Sequence, residues 1–356
     1  MTKPSIVASF ITSFIASFIT ASVTLAATGC GDDGPSDAEF KTEVVAAMHD
    51  SIATDLADIA THARALQAAA PTHAWNATTD AQAIEAMRAA WKRTRIAYEH
   101  VEGATAPIFA DFDASMDARY DDYLADLGPT GDPNPFDATG VTGMHGIERI
   151  LYAPTIRAEV IAFETTLPGY QAAAYPTTDA EAMAFKTQLV QRLIDDADEL
   201  HAQWQPAAID IGAAFQGLVG LMNEQREKVN LAATGEEESR YANVTLFDLR
   251  NNLAGTRQVY GVFRAWVAAK NGEAADASIE AHLDTLDALY AGTSDALPDV
   301  PADWSSDMPT AANLTTPFGR VWKTVHDEVD PNRPGSIVAS MNEVAKLLGF
   351  PEFVEQ

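Results

Sequence analysis

Apolar residues recur along this chain at intervals of three and four, and almost nowhere in the alternation of a half-buried strand. The spacing predicts a first helix over 38–69, where Phe40, Val44, Val45, Met48, Ile52, Leu56, Ile59 and Leu66 form one stripe and Pro71 stops it. A second helix is expected over 79–102, opened by Thr79 and Gln82 in capping-box spacing, and a short third over 115–127. Pro129, Pro133 and Pro135, interleaved with Gly128 and Gly131, make the next stretch a loop. Further helices are expected from about Thr142 and over 179–204, 207–233, 246–270 and 277–291. Two last ones begin at Thr316-Pro317 and span 335–348. The fold class is therefore all-α, read as two packed helical-bundle halves, 38–205 and 206–356, divided at Pro206.

The stretch 5–27 is different, being apolar without a helical stripe. It follows Lys3 and ends in Ala27-Thr28-Gly29, small residues directly before Cys30, the one cysteine of the chain. That order reads as a lipoprotein signal peptide over 1–29, a lipidated Cys30, and a tether over 30–37. The folded part is then lipid-anchored to a membrane in the periplasm or cell envelope. The alternative is a membrane-spanning anchor, since about 20 apolar residues can cross a bilayer. With no second cysteine there is no disulfide, and stability has to come from a packed core.

Charge narrows the partners. The chain carries 51 Asp and Glu against 23 Lys and Arg, a formal charge of −28, and loss of Lys3 with the leader makes it more negative. Such a field repels nucleic acid and concentrates cations.

The residues with the clearest chemistry are His145 and Glu148 in Gly143-Met144-His145-Gly146-Ile147-Glu148, three apart and so on one helix face. The flanking glycines leave room for close approach. Glu99 and Glu102 repeat the spacing on the second helix, and Asp111, Asp113 and Asp117 follow among apolar residues. A cation held by Glu99, Glu102, Asp117, His145 and Glu148 would compensate buried acids, with four oxygen donors and one nitrogen. That set suits iron, manganese or another hard divalent ion better than a structural zinc. The competing reading is a set of salt bridges to Arg93, Arg95, Arg119 and Arg149. His100, a third of a turn from Glu99, is a candidate to orient a ligand from behind.

The blocks 91–102, 113–119, 142–151 and 234–237 with 246–255 resemble, in this order, the imelysin-like proteins, and most of all their EfeO/EfeM branch. The resemblance implies two related helical bundles, an envelope location and a metal site on the Gly-x-His-x-x-Glu motif. It also implies a role in iron uptake beside a membrane iron permease and a peroxidase-like partner, with iron (Fe2+ or Fe3+) as the metal and Zn, Cu, Mn or Ca as alternatives. By position it carries over to His145 and Glu148, to Glu99 and Glu102, and to Asp117, with Asp113 as its substitute. The cupredoxin domain of some members is not expected here, and Thr245 stands where the family has an acid. The family's older peptidase label keeps a metal-dependent peptidase open, with Glu148 or Glu99 as base. Against it, no metalloprotease His-Glu-x-x-His pattern or Gly-x-Ser-x-Gly elbow occurs. A helical scaffold without metal is the third class.

Overall fold

The computed structural model describes residues 34–354 apart from 128–130, 133 and 138. The leader and the lipidation point Cys30 lie outside the described residues. From Pro35 onward the chain forms one compact unit, built of α-helices, with no strand among the described residues. In chain order they are α1 (Asp37–Ala69), α2 (Ala81–Thr105), α3 (Ala110–Met116), α4 (Tyr120–Asp126), α5 (Gly143–Leu151), α6 (Ala158–Glu164) and α7 (Asp179–Ala184). There follow α8 (Val190–Trp204), α9 (Ile211–Leu231), α10 (Thr245–Gly261), α11 (Arg264–Ala269), α12 (Glu273–Ala291), α13 (Pro317–Val329) and α14 (Ile337–Leu348).

Local signals account for some of these ends. Ser36 opens α1 through a full capping box with Glu39, and the predicted stripe from Phe40 to Leu66 is buried, Val45 alone being half-buried. Thr316 caps α13 with Pro317 at its first turn. The capping box predicted at Thr79 and Gln82 is not formed. Asp80 stands at the cap without a side-chain cap bond, because its carboxylate turns back to Asn76 N (2.7 Å) and His73 (3.1 Å). The predicted helix 115–127 is two short helices broken at Asp117–Arg119, and 246–270 is broken between α10 and α11. Helix α6 was not expected, since seven residues are too few to carry a period.

Helix α2 lies at the centre, packed on α1, α9, α10 and α5. A Cβ at Gly255 of α10 would come within 2.3 Å of the His100 carbonyl oxygen, so the α10 backbone meets α2 at a distance only glycine allows. Pro206 falls between α8 and α9, and α2, from before it, packs on α9 and α10, from after it. No helix among the described residues is long and apolar enough to cross a membrane.

Candidate metal centre

Every residue of α5 is buried, and α2 holds the helix at both ends. Trp91 Nε1 donates to the Met144 carbonyl (3.0 Å), and Arg88 donates to the Leu151 carbonyl through Nε (3.0 Å) and Nη2 (2.8 Å). Gly143 begins α5 at φ +76°, with the carbonyls of Ser115 and Met116 2.7 and 2.6 Å from where its Cβ would be. The start of α5 is thus seated on the end of α3, and the break after Met116 presents Asp117 to His145.

His145 Nε2 lies 3.4 Å from Asp117 Oδ1 and 3.3 Å from Glu238 Oε1. Its Nδ1 lies 2.9 Å from Glu148 Oε2, while Glu148 Oε1 accepts from Ala242 N at 2.8 Å. Glu148 therefore fixes the ring, turning Nε2 toward the two acids. Glu238 comes from the loop between α9 and α10, which is buried over residues 237–241. Arg157 pairs with Glu237 and Asp121 with Arg240, and the Tyr241 hydroxyl donates to Glu164 Oε1 at 2.7 Å. Glu164 is also gripped by Arg149 Nε and Nη2, each at 2.9 Å. These ties hold a charged loop inside the molecule.

Glu99 and Glu102 face the same interior from α2. Asn252 Nδ2 donates to Glu99 and, at 2.8 Å, to Glu102. Arg95, wholly buried, pairs with Glu99, Asp117, Glu238 (3.0 Å) and Asp248 (3.5 Å). Lys228 Nζ lies 3.9 Å from Glu102 and 3.5 Å from Glu238. Salt bridges and a ligand cluster thus coexist: Arg95 sits among the acids, whereas Arg149 serves Glu164 and Arg93 is exposed. His100 pairs instead with Asp55 of α1 (3.1 Å), and Asp113 accepts from the Tyr98 hydroxyl.

Electrostatics follow from burial and these partners. Burial opposes charge on His145, but Asp117 together with hydrogen bonds to Asp117, Glu148 and Glu238 outweighs it and raises the imidazole well above its usual range. Burial would raise Glu238, yet Lys228, His145 and Arg95 hold it well below the carboxylate range. Glu102 is pushed up by burial to about 7 despite Lys228, and Asp248 to about 6 despite Arg95. The imidazole of His145 thus lies between the carboxylates of Asp117 and Glu238, whose charges favour its protonated form.

These residues fit a metal. One ligand atom from each of Asp117, His145 and Glu238 lies within 4.8 Å of the others, and the 3.4 and 3.3 Å from His145 Nε2 to Asp117 and Glu238 fall inside the limit of about 4.4 Å for two donors sharing an ion at about 2.0–2.2 Å. Two carboxylates and an imidazole suit a hard or borderline ion. Asp117, 19% exposed at its side chain against 3% for His145 and 5% for Glu238, also lines a cavity of about 430 Å³ with Asp113, Asp122 and Asp126. Sequence reasoning missed Glu238, Lys228 and Asn252. Glu238 ends a run of three glutamates that reads as a solvated loop. Arg95 and Glu102 did carry a signal, sharing the spacing of Trp91 and Tyr98 on the apolar face of α2.

Comparison with known proteins agrees with this architecture. The chain is 25% identical over 229 residues to the iron uptake system component EfeO of Escherichia coli (strain K12), covering 64% of this chain and 50% of that protein. It is 28% identical over 202 residues to an Efem/EfeO family lipoprotein of Staphylococcus aureus (strain MSSA476), 57% of each. The chain therefore spans about half the length of these curated relatives. The crystal structure of an imelysin-like protein from Psychrobacter arcticum 273-4 superposes with TM-score 0.59 at 14% identity, over 90% of this chain and 99% of that one. The family model for imelysin, peptidase M75, matches residues 52–320, and on that match the chain belongs to the imelysin family.

Proposed function

We propose that this protein binds a metal ion, iron first, through Asp117, His145 and Glu238, and hands it on during uptake at the cell envelope. The observation that carries the reading is the convergence of those three side chains from three separate segments, His145 and Glu238 buried and Asp117 partly so, with ligand atoms within 4.8 Å. Glu148 positions the imidazole, and Glu99 and Glu102 extend the acidic wall. The two relatives' names, an iron uptake component and a lipoprotein, point the same way. The reading extends to cleavage of 1–29, lipidation at Cys30, anchoring to a membrane, and delivery to an iron permease with a peroxidase-like partner. It also keeps 38–205 and 206–356 as two packed bundle halves.

Binding is favoured over peptide hydrolysis because the carboxylates a hydrolase would use as base are already engaged. Glu148 uses one oxygen on His145 and the other on Ala242 N, and Glu99 is shared by Arg95 and Asn252. The test is element analysis of tag-free protein loaded with Fe2+ under anaerobic conditions. One ion per chain is expected, with affinity falling at least about tenfold in His145→Ala while far-UV circular dichroism stays unchanged. Equal iron in both proteins, or chelator-sensitive cleavage of casein, would overturn the proposal.

A further inference from the structure

The acid cluster has two sides, and Glu238 joins them. Its Oε1 faces His145 Nε2 (3.3 Å) and Arg95 Nη2 (3.0 Å); its Oε2 faces Lys228 Nζ (3.5 Å). On the His145 side Asp117 completes a ligand set. On the Lys228 side Glu102 Oε1 lies 3.9 Å from the ammonium. Glu99 stands next to Glu102, since both accept from the one Asn252 amide. Two-metal centres in helical bundles are assembled from glutamates and Glu-x-x-His pairs projecting inward from separate helices, with the two cation positions close together. Here one of the two positions is taken by a side chain.

We infer that Lys228 is a built-in cation occupying a second ion position, between Glu102 and Glu238, and that it limits the cluster to a single metal ion. Lysine suits this task. Its ammonium is a compact point charge with the chemistry of a small cation, unlike the planar fork of arginine. The residue is 8% exposed, and it sits on α9, which packs directly against α2 and its two glutamates. Because the tether is covalent, this cation cannot leave, so an incoming ion meets only the Asp117–His145–Glu238 side. A second ion there would face like charge across one shared carboxylate, in an interior where screening by salt is weak. The ligand atoms that Glu102 and Glu238 offer on the Lys228 side are carboxylate oxygens, so the ion admitted in its place is a hard divalent cation such as Mn2+ or Fe2+.

The inference rests on the metal-binding reading above, and stoichiometry separates the two. Wild-type protein, Lys228→Met and Lys228→Arg are loaded with Mn2+, desalted and measured for metal per chain, with calorimetry giving the number of sites. One ion is expected for wild type and for Lys228→Arg, and two for Lys228→Met. The extra ion is expected to vanish in Lys228→Met/Glu102→Gln and to survive in Lys228→Met/His145→Ala. No ion in wild type removes the metal-binding reading and this inference with it. One ion in both wild type and a folded Lys228→Met overturns the inference alone, as does an extra ion that persists when Glu102 is replaced. Should Lys228→Met fail to fold, the crystal structure of the Mn2+-loaded wild type decides. Anomalous density beside His145 with Nζ still between Glu102 and Glu238 supports the inference, and density against Glu102 overturns it.

Discussion

One residue, Gly143, sets how well the site is seated. Gly143 adopts φ +76° with two carbonyls of α3 less than 3 Å from any Cβ, so Gly143→Ala combines left-handed strain of roughly 1–3 kcal/mol with a backbone clash. It is expected to lower the melting temperature and, by moving α5 off α3, to weaken Mn2+ binding in calorimetry. A variant that melts and binds like wild type would show that the seat of α5 does not depend on this glycine. His326 gives a pH prediction away from the cluster. Its ring stacks on Trp322 with centroids 3.9 Å apart, and Nε2 lies 3.1 Å from Asn230 Oδ1. Burial, then the nearby charge of Arg226, lowers it to about 4, from an ordinary value of about 6.5. The unfolded chain therefore takes up this proton first as pH falls. The stability linked to His326 is present above about 6.5 and drains away as pH drops toward 4. Denaturant titrations between pH 7 and pH 4 should show a smaller loss in His326→Gln than in wild type. Parallel curves would assign the acid sensitivity elsewhere.

At the scale of elements, the short α3 and α4 shape the approach to Asp117. Asp113, Asp122 and Asp126 line the cavity that reaches Asp117, with Arg119 as the one cation in its wall among the described residues. Asp122 and Asp126 are exposed and belong to no ligand set. A cavity lined by one sign of charge raises the local concentration of the opposite ion and speeds its entry. Asp122→Asn/Asp126→Asn is expected to load Mn2+ several-fold more slowly in stopped flow at low ionic strength, with nearly unchanged equilibrium affinity. The difference should fade as salt shortens the screening length to about 8 Å near physiological strength. Equal rates at every salt concentration would rule this cavity out as the entrance.

The whole molecule behaves as its packing requires. Because α2 is shared by α1 on one side and by α9 and α10 on the other, neither side of Pro206 can lose its helices without baring a face of the other. Thermal unfolding is expected to be a single transition, with far-UV circular dichroism and tryptophan fluorescence coincident. The tryptophans report from both sides, Trp91 and Trp204 before Pro206 and Trp266 after it, all buried. Two separated transitions would mean that the halves melt as independent units.

The helical class, most helix positions and the pairing of His145 with Glu148 follow from spacing along the chain, because the helical period and caps are local properties. The family blocks were legible for the same reason, each being a contiguous run. The site itself was legible in part: Asp117 and His145 were named, and they do meet. Glu238, 93 positions beyond His145, could not be read from the chain, since a run of acids has the same appearance whether solvated or buried. Only the folding of the loop between α9 and α10 into the core tells them apart. The same holds for Lys228 between Glu102 and Glu238, and for Arg95 among four carboxylates. Which charges meet, and which are stripped of water, is settled by helix packing over long sequence separations, and that packing exists only in three dimensions.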